Sequence, residues 1–335
     1  MRPILPLLTF LLPILSFAQA PTIGVVEIFG NRKIPEDEIG KVVGAVPGGG
    51  LPQSKGTVED RLQALPGIDS AALEAACCEN GKVILYVGVH EKDGPMLAFR
   101  EYPAESPDMP EAVSKAYSTF LDRVREAGRS GGGAEDLNEG HSLLADPAAR
   151  QAQLAFVPLA NVHAAELSDI LHRSADSDHR AIAAYVLGYA SDKKAILQDL
   201  VYALRDPDAT VRGNATRALA AIATYAGKNP ALDLRIQASW FIDLLNSPVF
   251  TDRNNAAIAL VNLTESRPPE ILDELRNGAL LSLVEMARWK HSPHALPAFI
   301  LLGRTAGIRE NDVQAAWAKG QRERIISSAT GIKKQ

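Results

Sequence analysis

Three hydrophobic rhythms run along the chain. Ile4 to Phe17 is nearly continuous apolar sequence, residues 22–92 mix short β-branched runs with helical segments, and from about Val162 apolar residues recur at helical spacing. In the mixed region Ile23, Val25, Val26, Ile28 and Phe29 suit a strand, which Gly30-Asn31 breaks. Pro35 followed by Glu36, Asp37 and Glu38 puts proline and negative charge in a first helical turn, predicting a helix from about Pro35 to Val46. Pro47-Gly48-Gly49-Gly50 ends it. Thr57, a candidate N-cap, opens a second helix that Pro66-Gly67 terminates. Ile68–Cys78 and Lys82–Glu91 then flank an Asn80-Gly81 pair, which predicts a hairpin. The expected order over 22–92 is strand, helix, helix, strand, strand.

Residues 93–161 read as a linker with one or two helices. Pro95, Pro103, Pro107 and Pro110 precede a helical stripe of Val113, Ala116, Tyr117, Phe120, Leu121 and Val124, and Gly131-Gly132-Gly133 reads as a flexible joint. From 162 to about 320 the helical pattern is weakly self-similar. His179-Arg180-Ala181-Ile182-Ala183-Ala184 is echoed by Val211-Arg212-Gly213-Asn214-Ala215-Thr216 and again by Asp252-Arg253-Asn254-Asn255-Ala256-Ala257. Such periods predict stacked helix pairs, none of which can bury its apolar face alone. Residues 321–335 read as a C-terminal tail.

Two resemblances sharpen this outline. Val25-Val26-Glu27-Ile28-Phe29-Gly30-Asn31-Arg32-Lys33-Ile34 resembles the opening strand and Gly-Asn turn of the POTRA (polypeptide-transport-associated) domain. Gly81-Lys82-Val83-Ile84-Leu85-Tyr86-Val87-Gly88-Val89-His90-Glu91 resembles its closing strand, which ends on an acidic residue. POTRA modules are scaffolds of outer-membrane assembly and secretion proteins, and the resemblance implies polypeptide binding by strand addition. Asp206-Pro207-Asp208, then Val211-Arg212 and Asn214-Ala215, resembles the HEAT repeat, particularly the short form of phycobilin-lyase-like proteins. The expected fold class is therefore a small α+β N-terminal domain (β-α-α-β-β, POTRA-like) followed by an all-α solenoid of HEAT-like helix pairs.

Composition narrows the function. The chain has 335 residues, 46% hydrophobic and 22% charged, with formal net charge −5 and no long basic block, which argues against a nucleic-acid partner. Its first segment, with Arg2, the apolar run and Ser16-Phe17-Ala18, has the layout of a secretory signal peptide over residues 1–18. The run is shorter than the roughly 20 residues of a spanning helix and carries prolines, so cleavage after Ala18 and a periplasmic protein without a stable membrane span are expected. Two cysteines, Cys77 and Cys78, are too few for a disulfide framework or a Cys-rich zinc site. Adjacent cysteines make a strained bond, and free thiols, a bond to another chain or a redox pair all stay open.

Candidate chemistry is sparse. Of seven histidines, His172 and His179 are separated by a predicted turn, and the Pro293 of His291-Ser292-Pro293-His294 breaks helical spacing; solvated or capping roles are the default. No Gly-x-Ser-x-Gly elbow, His-Glu-x-x-His helix or phosphate loop occurs, so no catalytic, metal or cofactor residue is assigned. Arg180, Arg212 and Arg253 recur at equivalent places and are expected to tie repeats together through Asp178, Asp208 and Asp252. The glycosylation patterns at Asn214 and Asn262 lie inside repeat helices and read as chance. The expected function is a non-enzymatic polypeptide-binding scaffold in the cell envelope, with outer-membrane or secretion components as partners. Binding is placed on the sheet edge at Ala71, Ala72, Leu73, Glu74, Ala75, Ala76 and Cys77, and on the solenoid surface. A small-molecule or chromophore-handling enzyme of the lyase-like class and a passive envelope structural protein are the alternatives.

Overall fold

A computed structural model describes residues 21–79, 81–95, 97–130 and 135–331, with the side chains of 77–79 and 129–130 left aside. The expected signal peptide and the thiols of Cys77 and Cys78 lie outside the described residues.

The N-terminal region has the expected order: β1 (Ile23–Phe29), α1 (Glu36–Val43), α2 (Lys55–Gln63), β2 (Ile68–Glu79) and β3 (Lys82–Glu91). The sheet order is β1-β3-β2, with β1 parallel and β2 antiparallel to β3. One face packs Ile23, Leu73, Leu85 and Val87 against Ile39, Val43, Val58 and Leu62 of the two helices. α1 stops earlier than the sequence suggests because Gly44 takes the left-handed conformation (φ 66°) and turns the chain back. α2 starts two residues early, capped by Ser54, whose hydroxyl accepts the Thr57 amide; Thr57 is not the cap. The acid that closes β3 has a clear job. The Glu91 carboxylate accepts the amides of Arg32, Lys33 and Ile34 at 2.8–3.0 Å, locking the turn that follows Gly30. Burial alone would raise its pKa, but these three N–H groups and the Lys33 charge hold it below the usual carboxylate range.

An extended strap follows, then α3 (Glu111–Ser130), a two-residue hairpin of β4 (Glu135–Asp136) and β5 (Leu143–Leu144), and α4 (Pro147–Leu154). α3 is not a linker helix. Its Val113, Phe120 and Ala127 are buried, and Tyr117 and Phe120 enter an aromatic cluster with Phe156 and Tyr185, so it caps the first repeat.

The solenoid comprises α5 (Phe156–Arg173), α6 (Ser177–Leu187), α7 (Lys193–Ala203), α8 (Ala209–Lys228), α9 (Ser239–Leu244), α10 (Phe250–Leu263), α11 (Pro269–Gly278), α12 (Leu280–Ala287), α13 (Ser292–Thr305), α14 (Glu310–Ala318) and α15 (Arg322–Thr330). Helices α6, α8, α10, α13 and α15 stack in sequence as one layer, while α5 packs on α7 and α9 on α11 in the other. The stack begins at Phe156, six residues before the expected boundary. It also runs past the expected one: the segment read as a tail carries α15, whose Ile325 and Ile326 are buried under α13.

Candidate functional site

The sheet's second face does not meet solvent. Tyr86 of β3 stacks on Phe250 of α10, with ring centroids 3.8 Å apart and planes 12° apart, and its hydroxyl is hydrogen-bonded to Nδ1 of His294 at 2.6 Å. Phe29 packs edge-on against Trp289 at 5.5 Å. Gly88 lies so close to the solenoid that a Cβ there would stand 1.8 Å from the Pro248 carbonyl oxygen. Polar groups complete the seam. Glu74 accepts the Thr251 amide (2.8 Å) and hydroxyl (3.0 Å), Glu285 accepts the Gly30 amide, and Glu27 accepts the Lys290 amide. α10 has no side-chain cap of its own, unlike α6, α7 and α8, which Asp176, Asp192 and Asp208 cap. Glu74 supplies it from the sheet. Burial raises the pKa of both Glu27 and Glu74, against the hydrogen bonds they accept.

This seam was readable in β3. Val83 to Val89 is apolar without alternation, the pattern of a strand covered on both faces.

The three arginines form a buried ladder at the N-terminal ends of α6, α8 and α10. Arg180 makes a two-pronged pair with Asp206 (2.9 and 3.0 Å), Arg212 bonds Asp252 (2.7–3.1 Å), and Arg253 bonds Glu285 (2.9 Å). Each also donates to carbonyls of the turn before its own helix: Ser174 and Ala175, Asp206 and Pro207, and Ser247. None of the expected neighbouring pairs forms; of the three aspartates only Asp252 joins the ladder, and it does so as the partner of Arg212. Asp178 and Asp208 serve the starts of their own helices, and the ladder reaches one repeat onward instead.

An aromatic ring from the N-terminal half covers every rung. Phe29 lies 4.6 Å from the Arg253 guanidinium, Phe99 lies 4.1 Å from Arg212, and Tyr102 lies 6.0 Å from Arg180. The strap thus runs antiparallel to the order of the repeats. Main-chain bonds hold it: Arg100 N–H to the Arg205 carbonyl (2.8 Å), Glu105 N–H to the Arg173 carbonyl (3.1 Å), and Ala175 N–H to the Glu105 carbonyl (2.6 Å). Arg100 itself sits over the Tyr202 ring and reaches Asp206 at 3.3 Å.

The predicted edge residues divide by strand alternation. β2 is an edge strand. The Leu73 amide points away from β3 and is taken by Glu59 of α2 at 2.7 Å. By the two-residue period the Ala71 and Ala75 amides point outward with it, while Ala72, Glu74 and Ala76 pair inward with Gly88, Tyr86 and Ile84. Glu74 belongs to the seam and Leu73 to the α1/α2 core, which leaves Ala71 and Ala75 as the residues a new strand could bond.

The histidines are also redistributed. His172 stacks on Tyr202 and bonds Asp199, apart from His179. His291 and His294 do meet, 4.1 Å between rings, but in the seam beside Tyr86, where they are neither solvated nor capping a helix with a side-chain bond, the two roles expected of them. Burial, then the neighbouring His291, pushes the His294 pKa down to about 4. Among the described residues no three His, Cys, Asp or Glu side chains gather as a metal site. The Asn214 side chain donates to the Ala181 carbonyl between repeats.

Residues 164–261 match the family model described as HEAT repeats. These are HEAT-like repeats. They span the second half of α5 through most of α10, the part of the stack that carries all three arginines of the ladder. A search of curated proteins found no match.

Proposed function

We propose that the protein is a non-enzymatic polypeptide-binding scaffold of the cell envelope, with a POTRA-like module clamped onto the HEAT-like solenoid. The observation that carries this reading is the strap. The ladder edge of the solenoid holds an extended segment by main-chain hydrogen bonds to the carbonyls that end α5 and α7, with aromatic rings laid on guanidinium groups. That is a mode of peptide recognition, occupied in cis. The β-α-α-β-β order, the β1-β3-β2 sheet and the Glu91 lock support the POTRA-like reading of the first module. Because its second face is sealed by the solenoid, partner contacts fall to the outward amides of Ala71 and Ala75 and to the solenoid beside the strap. The signal-like residues 1–18 support export, and export makes outer-membrane or secretion polypeptides the expected partners.

Capture tests the reading: the chain from Gln19, the expected mature form, is cross-linked in intact envelopes and its adducts identified by mass spectrometry. Enrichment of outer-membrane or secretion polypeptides over a heat-unfolded control is expected. A folded protein that captures nothing above that control contradicts the proposal.

A further inference from the structure

Beside the strap lies a groove that the chain leaves open. Its walls are Phe99 of the strap, Val201 and Leu204 of α7 and its end, and Trp240 and Leu244 of α9, with Arg205 and Asp243 exposed at the rim. Its volume is 230 Å³. Small-molecule sites usually span about 300–1,000 Å³, whereas roughly 150 Å³ already accommodates a benzene-sized ring. The groove is therefore sized for one bulky apolar side chain. The rim, with one cation and one anion, selects against a strongly charged ligand and suits the dipoles of a peptide backbone. The groove is also continuous with an interface the protein already forms: its wall residue Phe99 is the strap ring that covers Arg212, and Arg205 offers the carbonyl that holds the strap's main chain.

We propose that this groove receives an aromatic or branched aliphatic anchor side chain from an extended segment of a partner polypeptide lying alongside the strap. The inference rests on the polypeptide-binding function proposed above and adds the place and the chemistry of recognition. One anchor in a preformed pocket, with backbone bonding around it, concentrates the binding energy in a single side chain.

The test is an array of overlapping peptides tiled from outer-membrane and secretion polypeptides, probed with the chain from Gln19 and with Val201→Glu. Trp240→Ala serves as a second variant should Val201→Glu not keep the wild-type melting profile. The expected result is a set of bound peptides whose alanine scans each single out one bulky apolar residue, with affinity reduced about tenfold or more in the variant. Peptides that bind the folded variant as well as the wild type overturn the groove while leaving the scaffold function standing. An array on which no peptide binds overturns both.

Discussion

The ring of Tyr86 lies flat on the ring of Phe250, 3.8 Å between centroids, and so joins the central strand of the sheet to the first turn of a solenoid helix. Through this contact, the Phe29–Trp289 packing and the Glu74 cap on Thr251, two modules legible as separate in the sequence become one body.

The seam should fail at its tightest point. Gly88→Val pushes a side chain into the Pro248 carbonyl, and relief requires the sheet to lift from α10. A loss of roughly 2–4 kcal/mol is expected from overpacking a buried interface. Thermal unfolding followed by tyrosine and tryptophan absorbance should then resolve two transitions where the wild type has one; a single transition at the wild-type temperature contradicts rigid docking.

The ladder is a second point of failure, with a definite sign for each variant. Arg212→Met strands the buried Asp252 carboxylate, and leaving one member of such a pair alone costs about 3–5 kcal/mol. Adding Asp252→Leu removes the orphaned charge and should recover more than half of that loss in urea denaturation. If the double variant is no better than the single one, the arginine acts through its bonds to the Asp206 and Pro207 carbonyls and not through the pair.

Acid should loosen the seam in a specific window. His294 is kept neutral in the folded protein, its pKa lowered from 6.5 to about 4. As pH falls below 6.5 the unfolded chain takes up the proton first, so stability is lost progressively from pH 6.5 to about 4 and no further below that. Full burial of such a shift corresponds to about 3 kcal/mol, and partial solvent access brings it nearer to about 2 kcal/mol. Glu27 and Glu74, with raised pKa values, titrate in the opposite sense, each adding stability as it protonates. His294→Gln isolates the histidine: between pH 7 and 4 the variant should lose less stability than the wild type, and parallel curves would remove His294 from the acid response.

Strand addition makes its own demand on β2. Ala75 is exposed, and its amide points outward with that of Leu73, so Ala75→Pro deletes a donor that no ladder bond uses. Partner capture should weaken while the melting of the solenoid is unchanged. Leu73→Pro and Glu74→Pro are poor tests by comparison, since one breaks the bond to Glu59 and the other disturbs the α10 cap. Capture that survives Ala71→Pro and Ala75→Pro together eliminates the sheet edge as a binding site.

Local structure was written plainly in the sequence. The β-branched run Ile23–Phe29 and the apolar strand Lys82–Glu91 formed as read, and Arg180, Arg212 and Arg253 marked equivalent places in successive repeats. What periodicity does not carry is which surfaces meet. Nothing local to Arg180 distinguishes Asp178 from Asp206 as its partner, because the choice depends on the rise from one helix pair to the next. The strap is not legible for a related reason: Phe99 and Tyr102 sit in a proline-rich stretch without period, and only the spacing of the finished stack brings them over Arg212 and Arg180.

The central claim, a scaffold that binds polypeptides at the Ala75 edge and in the Val201 groove, is tested most directly by site-specific photo-cross-linking in intact envelopes. A photoreactive residue is placed at Ala75, at Val201 or, as a control, at Leu281 of α12, which is 55% exposed and belongs neither to β2 nor to the groove lining. Recurrent adducts with the same polypeptides at Ala75 or Val201, and none at Leu281, are the predicted result. Adducts no more frequent at those two positions than at Leu281 would contradict it.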